Sequence, residues 1–173
     1  MPRRKEAPPA LTLHPIGVIH SPHREAGKTP IQPAYARGIR GTAEILPEYA
    51  EGLRDLEGFS HIHLLYHLHR AGATRLLVKP FLQDVRRGVF STRAPCRPNP
   101  IGLSLVRLIR REGNLLFLED VDILEGTPLL DIKPYVPRFD IREDARSGWQ
   151  ASVDEETAQI LGRRQYEEPA KKP

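Results

Sequence analysis

The sequence predicts a mainly β protein, an antiparallel sheet or barrel joined by rigid turns, with only short helices. Three observations carry that expectation. Seventeen of the 173 residues are proline, and they interrupt otherwise apolar segments. That is about twice ordinary usage, and each proline fixes φ and removes an amide donor, which disfavours long helices and long central strands alike. Apolar residues come in short runs bounded by Gly, Pro and Asn, as strands between turns do. One run, Phe59 to His69, alternates at the period of a strand whose two faces differ. A chain of this length forms one domain, burying roughly 70% of its unfolded surface without needing a disulfide or metal staple.

The elements follow in order. Residues 1–10 read as a disordered basic tail, 11–145 as the folded domain and 146–173 as a C-terminal extension. Ile16–Ser21 is a first strand closed by Pro22, and 22–38 form a long proline-containing loop of the kind that is usually functional. Gly41–Leu46 is a second strand. Pro47 then opens a short helix, with Leu46, Tyr49, Leu53 and Leu56 near helical spacing and Gly58 at its end. In Phe59–His69, Ile62, Leu64, Tyr66 and Leu68 face one way and His61, His63, His67 and His69 the other. Strands are expected at Leu76–Lys79, Gly88–Thr92, Leu103–Ile109, Leu115–Leu118, Val121–Leu124 and Leu129–Ile132. The Glu112-Gly113-Asn114 turn makes a hairpin of Leu103–Arg110 and Leu115–Leu118. A short helix over Asp154–Leu161 ends the pattern.

Composition and charge narrow the function. Mean hydropathy is −0.44 and the net charge is +4. No apolar run approaches the ~18 residues of a membrane helix, and the N-terminus has no apolar stretch of a secretory signal. Cys96 is the only cysteine, which excludes an internal disulfide and any multi-cysteine metal site and points to an intracellular, cytoplasmic protein. Between Lys79 and Arg111 eight lysines and arginines face Asp84 alone. A segment of one sign attracts phosphates, so a polyanionic partner is expected.

The chemistry-bearing residues exclude several classes. Neither GxGxxG nor GxxxxGK[ST] occurs, so Rossmann and P-loop sites are out, and no GxSxG elbow exists. His61 to His69 span about 27 Å at ~3.3 Å per residue, too far for all four imidazoles to share one ion. They are expected to be polar residues of a strand face, with no metal. Cys96, in APCRPNP, has no paired base in sequence and is expected to be inert. Two strings stand out, RAPCRPNPIG at 93–102 and DILEGTPLLDIKPY at 122–135, each packing prolines, glycines and charges between strands. Such loops aim backbone amides and side chains at a ligand.

At these strings the chain resembles the TsaA-like (YaeB/TrmO/VirR) family of S-adenosylmethionine-dependent tRNA methyltransferases. The resemblance runs over about residues 14–140, through IGVIHSP at 16–22, Gln32-Pro33, GFSH at 58–61, His69, GVFSTRAPCRPNPIGLS at 88–104 and the 122–135 string. It implies a compact antiparallel β-barrel methyltransferase, not of the Rossmann type. It further implies a homodimer with the cofactor near the subunit interface, and a substrate amine on threonylcarbamoyladenosine beside the anticodon. The cofactor contacts it implies fall at Ile31, Gln32, Pro33, His69, Arg70, Arg93, Leu103, Leu124, Glu125, Gly126 and Thr127. Glu125 stands where the family usually has aspartate. The sequence is also expected to lack the further C-terminal domain of longer bacterial members. Methyl transfer to an amine needs a proton acceptor; arginine cannot serve, whereas Asp122 or Asp131 could, or could simply orient the amine. Arg86, Arg87, Arg97 and Lys133 are the candidates for contacts with the tRNA anticodon loop. A non-catalytic module that binds S-adenosylmethionine or RNA is the alternative.

Overall fold

The computed structural model describes residues 9–166. The tail expected over 1–10 therefore falls largely outside the described residues, as does the end of the extension beyond 166. Six strands close into an antiparallel barrel: β1 (Gly17–His20), β2 (Arg40–Ile45), β7 (Leu115–Glu119), β6 (Ile101–Glu112), β3 (His61–His67) and β8 (Thr127–Pro134), which returns to β1. A short ladder of β4 (Leu77–Val78) and β5 (Arg87–Gly88) stands apart. The helices are brief: α1 (Pro137–Asp140), α2 (Glu155–Arg163) and several single 3-10 turns. The expected barrel with short helices is the observed fold.

The barrel wall is written in the alternation of β3. Ile62, Leu64 and Tyr66 point inward and are buried, whereas His61, His63 and Leu65 point outward, half-buried. They meet Ala43, Ile45, Val106, Leu108, Leu116, Leu118 and Leu129 from the other strands in one core. His69 leaves the row, because β3 ends at His67 and the chain turns as the Ala71 amide donates to the Leu68 carbonyl. β6 serves two neighbours, pairing with β3 up to Arg107 and with β7 from there on. A bulge between Leu108 and Arg110 bends it across the junction. The β6–β7 hairpin turns at Gly113, whose φ of 60° is the left-handed region that favours glycine.

Three expectations are corrected. Val121–Leu124 is not a strand. Asp120, at φ 67°, ends β7 and accepts the Gly38 amide on its side chain at 2.8 Å. The segment after it is pinned to the end of β1 by side chains instead of a ladder. The Ser21 hydroxyl donates to the Ile123 carbonyl at 2.5 Å, and the buried His23 Nε2 donates to the Val121 carbonyl at 2.7 Å. Of the strand expected over Gly88–Thr92 only Gly88 is in one, at the end of β5; a 3-10 turn over Val89–Ser91 follows. Ser91 and Thr92 hydroxyls donate back to the Gly88 and Val89 carbonyls, closing the turn locally. The Pro47 helix is two 3-10 segments, Pro47–Leu53 and Leu56–Gly58, divided at Asp55 with φ 68°. The helix expected near 154–161 is α2, and Asp154 caps it by accepting the Thr157 amide at 2.8 Å.

Candidate active site

A cavity of about 1280 Å³ opens beside the barrel. The barrel contributes Tyr66 from β3, the Asp122–Leu124 segment and Thr127 from β8; the loops at 26–35 and 92–96 and the chain after β3 form the walls. A smaller cleft of about 450 Å³ lies over the outer face of β3 and β6, lined by His61, His63, Leu103 and Leu105. Gln32 and Arg93 line both, and the Arg93 guanidinium donates to the Gln32 side-chain carbonyl, so this pair is the septum between them.

Asp122 is the chemical centre of the larger cavity. The Ser104 hydroxyl donates to its Oδ1 at 2.6 Å, and the Tyr66 hydroxyl lies 2.9 Å from Ser104 Oγ. All three residues are buried. Burial raises the Asp122 carboxyl to about 7, against smaller opposing effects of the Ser104 hydrogen bond and the Arg93 charge. Burial and the neighbouring carboxylate push the Tyr66 phenol up, so it stays protonated and donates to Ser104. The row therefore runs Tyr66 to Ser104 to Asp122. Gly102 positions it: paired with Tyr66 across the β3–β6 ladder, it leaves no room for a Cβ beneath the tyrosine ring. His69 also lines the cavity, its Nδ1 3.4 Å from the Thr127 hydroxyl. Burial first, then Arg70 and His67, lowers its affinity for a proton, so it is neutral at pH 7.

The structure gathers some expected residues and disperses others. Ile31, Gln32, His69, Arg70, Arg93, Leu124 and Thr127 line the larger cavity; Pro33 and Leu103 line the cleft beyond the septum. Glu125 turns away. It accepts from the Ser21 amide at 2.7 Å and lies 3.0 Å from His20 Nδ1 and 3.4 Å from Arg24. Burial alone would raise its carboxyl, but these partners outweigh it and hold it below the ordinary range. Gly126, at φ 71°, turns the chain into β8 and donates its amide to the Ile19 carbonyl. Of the two expected carboxylates only Asp122 is in the cavity. Asp131 is on β8, paired with Lys133 at 2.8 Å, and lines neither space. Arg86 lines the larger cavity, but Arg87 is tied to Gln83 at 2.8 Å and Arg97 to the Thr92 and Ala94 carbonyls. Among the described residues no group of three His, Cys, Asp or Glu side chains is placed to hold a metal ion.

Residues 18–141 match the family model described as the tRNA-methyltransferase O N-terminal domain. The chain belongs to this family. A probable S-adenosyl-L-methionine-binding protein of Pyrococcus abyssi is 58% identical over 142 residues, 82% of this chain and 77% of that one. The tRNA (adenine(37)-N6)-methyltransferase of Escherichia coli is 38% identical over 80% of this chain and 63% of its own length. The crystal structure of TrmO from Pseudomonas aeruginosa superposes with a TM-score of 0.68 at 44% identity, covering 81% of this chain and 62% of that one. The chain thus spans about three-fifths of several longer relatives.

Sequence reasoning missed Tyr66 and Ser104 as site residues. The signal was present: in IGLSLVRL the inward positions read Gly, Ser, Val, Leu, and a serine on a core-facing row needs a polar partner. It also missed Arg146, Trp149 and Arg164, which line the cavity from the extension. No local pattern ties those residues to a site so distant in sequence.

Proposed function

We propose that this protein transfers a methyl group from S-adenosylmethionine to the exocyclic N6 of an adenine beside the anticodon of tRNA. One observation carries the reading. Seven of the eleven residues that the family resemblance names for the cofactor, Ile31, Gln32, His69, Arg70, Arg93, Leu124 and Thr127, line the same cavity as a buried carboxylate raised to about 7. The lining suits the cofactor's parts: Arg70 and Arg93 for a carboxylate, Ile31, Leu68 and Leu124 for an apolar ring face, and the Thr127 hydroxyl for a polar edge. When bound, the cofactor supplies a methyl carbon activated by a sulfonium.

The chain's own residues supply position and a proton acceptor. Holding two reactants at attack distance can contribute roughly 7–11 kcal/mol of barrier lowering. Asp122 takes the proton the amine loses, and a value near 7 matches a base working at neutral pH. Ser104 fixes its orientation, and Tyr66 in turn fixes Ser104.

The finer reading is that the adenine already carries a threonylcarbamoyl group. Its carboxylate suits a cavity lined by Arg70, Arg75 and Arg86, where Asp122 is the one carboxylate among the described residues. A homodimer belongs to the same proposal. Leu103, implied as a cofactor contact, is 44% exposed on the outer face of β6, beside Ile101 at 40%. A second copy covering that face would close the smaller cleft, and light scattering tests it. A tRNA substrate places the protein in the cytoplasm.

The Pyrococcus abyssi relative, described as a probable S-adenosyl-L-methionine-binding protein, favours a second reading, a binding protein without transfer activity. Nucleoside profiling of tRNA from a deletion strain separates the two. Loss of the methylated adenosine is expected; an unchanged profile with intact cofactor binding supports the binding module.

A further inference from the structure

The segment beyond the matched family residues is a wall of the cavity. Trp149 sits in a 3-10 turn (Gly148–Ser152) and lines the cavity together with Arg146. Its indole N–H donates to the Ser91 carbonyl at 2.8 Å, and the Arg87 guanidinium lies 5.7 Å from its ring centre. The same turn is tied down through Gln83, which donates to Ser152 Oγ at 2.9 Å and accepts from Arg87 at 2.8 Å. α2 anchors the opposite wall. The Ile31 amide donates to the Gly162 carbonyl at 2.9 Å, and Arg164 donates to the Ala26 carbonyl at 2.6 Å. The Tyr35 ring packs so closely on Gly162 that a Cβ there would collide with it. The indole is thus held before any ligand arrives, so stacking on it carries little further ordering cost.

Size and charge say what the wall faces. A single small ligand fills clefts of roughly 300–1,000 Å³, and this cavity is about 1280 Å³. Arg86 and Arg146 are among the cations that line it, and among the described residues Asp122 is the only carboxylate that does. Room beyond one cofactor, excess positive charge and a fixed aromatic ring together match unpaired nucleic acid, whose bases stack and whose phosphates seek cations.

We propose that Trp149, with Arg146 and Arg86, forms a nucleotide subsite in which an unpaired RNA base stacks on the indole and the arginines face its phosphates. This rests on the tRNA reading above and adds a substrate contact from outside the matched domain. Arg87 acts as a positioning residue, holding the indole and not a phosphate.

Trp149 is the only tryptophan in the chain, so its emission reports the subsite directly. The full-length protein, loaded with S-adenosylhomocysteine, is titrated with an anticodon stem-loop RNA and with the same RNA carrying an abasic loop position. The intact RNA should quench the emission saturably and the abasic RNA should quench it less, while S-adenosylhomocysteine alone leaves it unaltered. Trp149→Ala should weaken RNA binding by about fivefold or more, Trp149→Phe should retain most of it, and calorimetric cofactor affinity should hold in both. Unquenched binding with equal affinity for Trp149→Ala overturns the proposal, as does absence of RNA binding. Quenching by S-adenosylhomocysteine alone also overturns it, because the cofactor's own adenine then occupies the indole. Methyl transfer measured on the same protein and RNA, with S-adenosylmethionine in place of S-adenosylhomocysteine, keeps the readings apart: absence of transfer in the wild type counts against the reaction, not against the stacking.

Discussion

Asp122→Asn separates a buried catalytic carboxyl from a structural one. Burial raises Asp122 from an ordinary 3.8 to about 7. Between those values the folded state holds a proton that the unfolded chain has released, so stability falls as pH rises through the window and levels off above it. The difference corresponds to roughly 4 kcal/mol. Asparagine keeps the shape and an acceptor for the Ser104 hydroxyl but has no charge to bury. The stability advantage of Asp122→Asn over the wild type should therefore grow by roughly 4 kcal/mol between about pH 4 and about pH 8. In melting temperature that is on the order of 10 °C at the alkaline end. Other titrating groups are shared by both proteins and cancel in the difference. Turnover should move the opposite way, falling about 10²–10⁴-fold, while wild-type turnover rises with pH through about 7. Denaturant titrations at several pH values, paired with single-turnover assays, read both. A pH-independent stability difference, or near wild-type turnover in the variant, would refute the assignment of Asp122 as a buried base.

Other outcomes follow from the same geometry. Arg93→Ala removes the septum's cation; with ligand at ~100 times the wild-type Kd, where stabilisation is about 2.7 kcal/mol, a tenfold weaker variant should keep about half of that in a thermal-shift assay. Arg86→Ala should lower the salt slope of RNA binding by about one, whereas Arg87→Ala should leave the slope intact and lower affinity through the loosened indole, as binding titrations at several salt concentrations will show. Gly102→Ala drives a methyl into the Tyr66 ring and should destabilise the fold by about 1–3 kcal/mol in denaturant unfolding, with a loss of turnover that exceeds the loss of folded protein. Chelation should leave turnover unchanged, since among the described residues no third metal-ligating side chain is grouped with the strand-face residues His61 and His63.

The strands were legible where one face is wet and the other dry. Ile62, Leu64 and Tyr66 alternate with histidines, and the barrel follows that parity. Turns built from side-chain bonds were not legible. Asp120 and the hydroxyls of Ser21, Ser91 and Thr92 redirect apolar stretches whose composition reads as strand. The cavity was half legible. The motif strings hold Arg93, Asp122 and Thr127, but charge counting along the chain could not separate Arg86, which faces the cavity, from Arg87 beside it, which holds Trp149. Adjacent residues on extended backbone point to opposite sides, so a basic run in sequence need not form a single surface.

The most direct test of the account incubates the purified protein with isotope-labelled S-adenosylmethionine and two preparations of one tRNA, with and without the threonylcarbamoyl group. Nucleoside mass spectrometry then locates the label. The account predicts label on the exocyclic nitrogen of the adenosine beside the anticodon, only in the tRNA that carries the threonylcarbamoyl group, and none with Asp122→Asn. Label on another nucleoside, or none in either tRNA while the protein binds the cofactor, would contradict it.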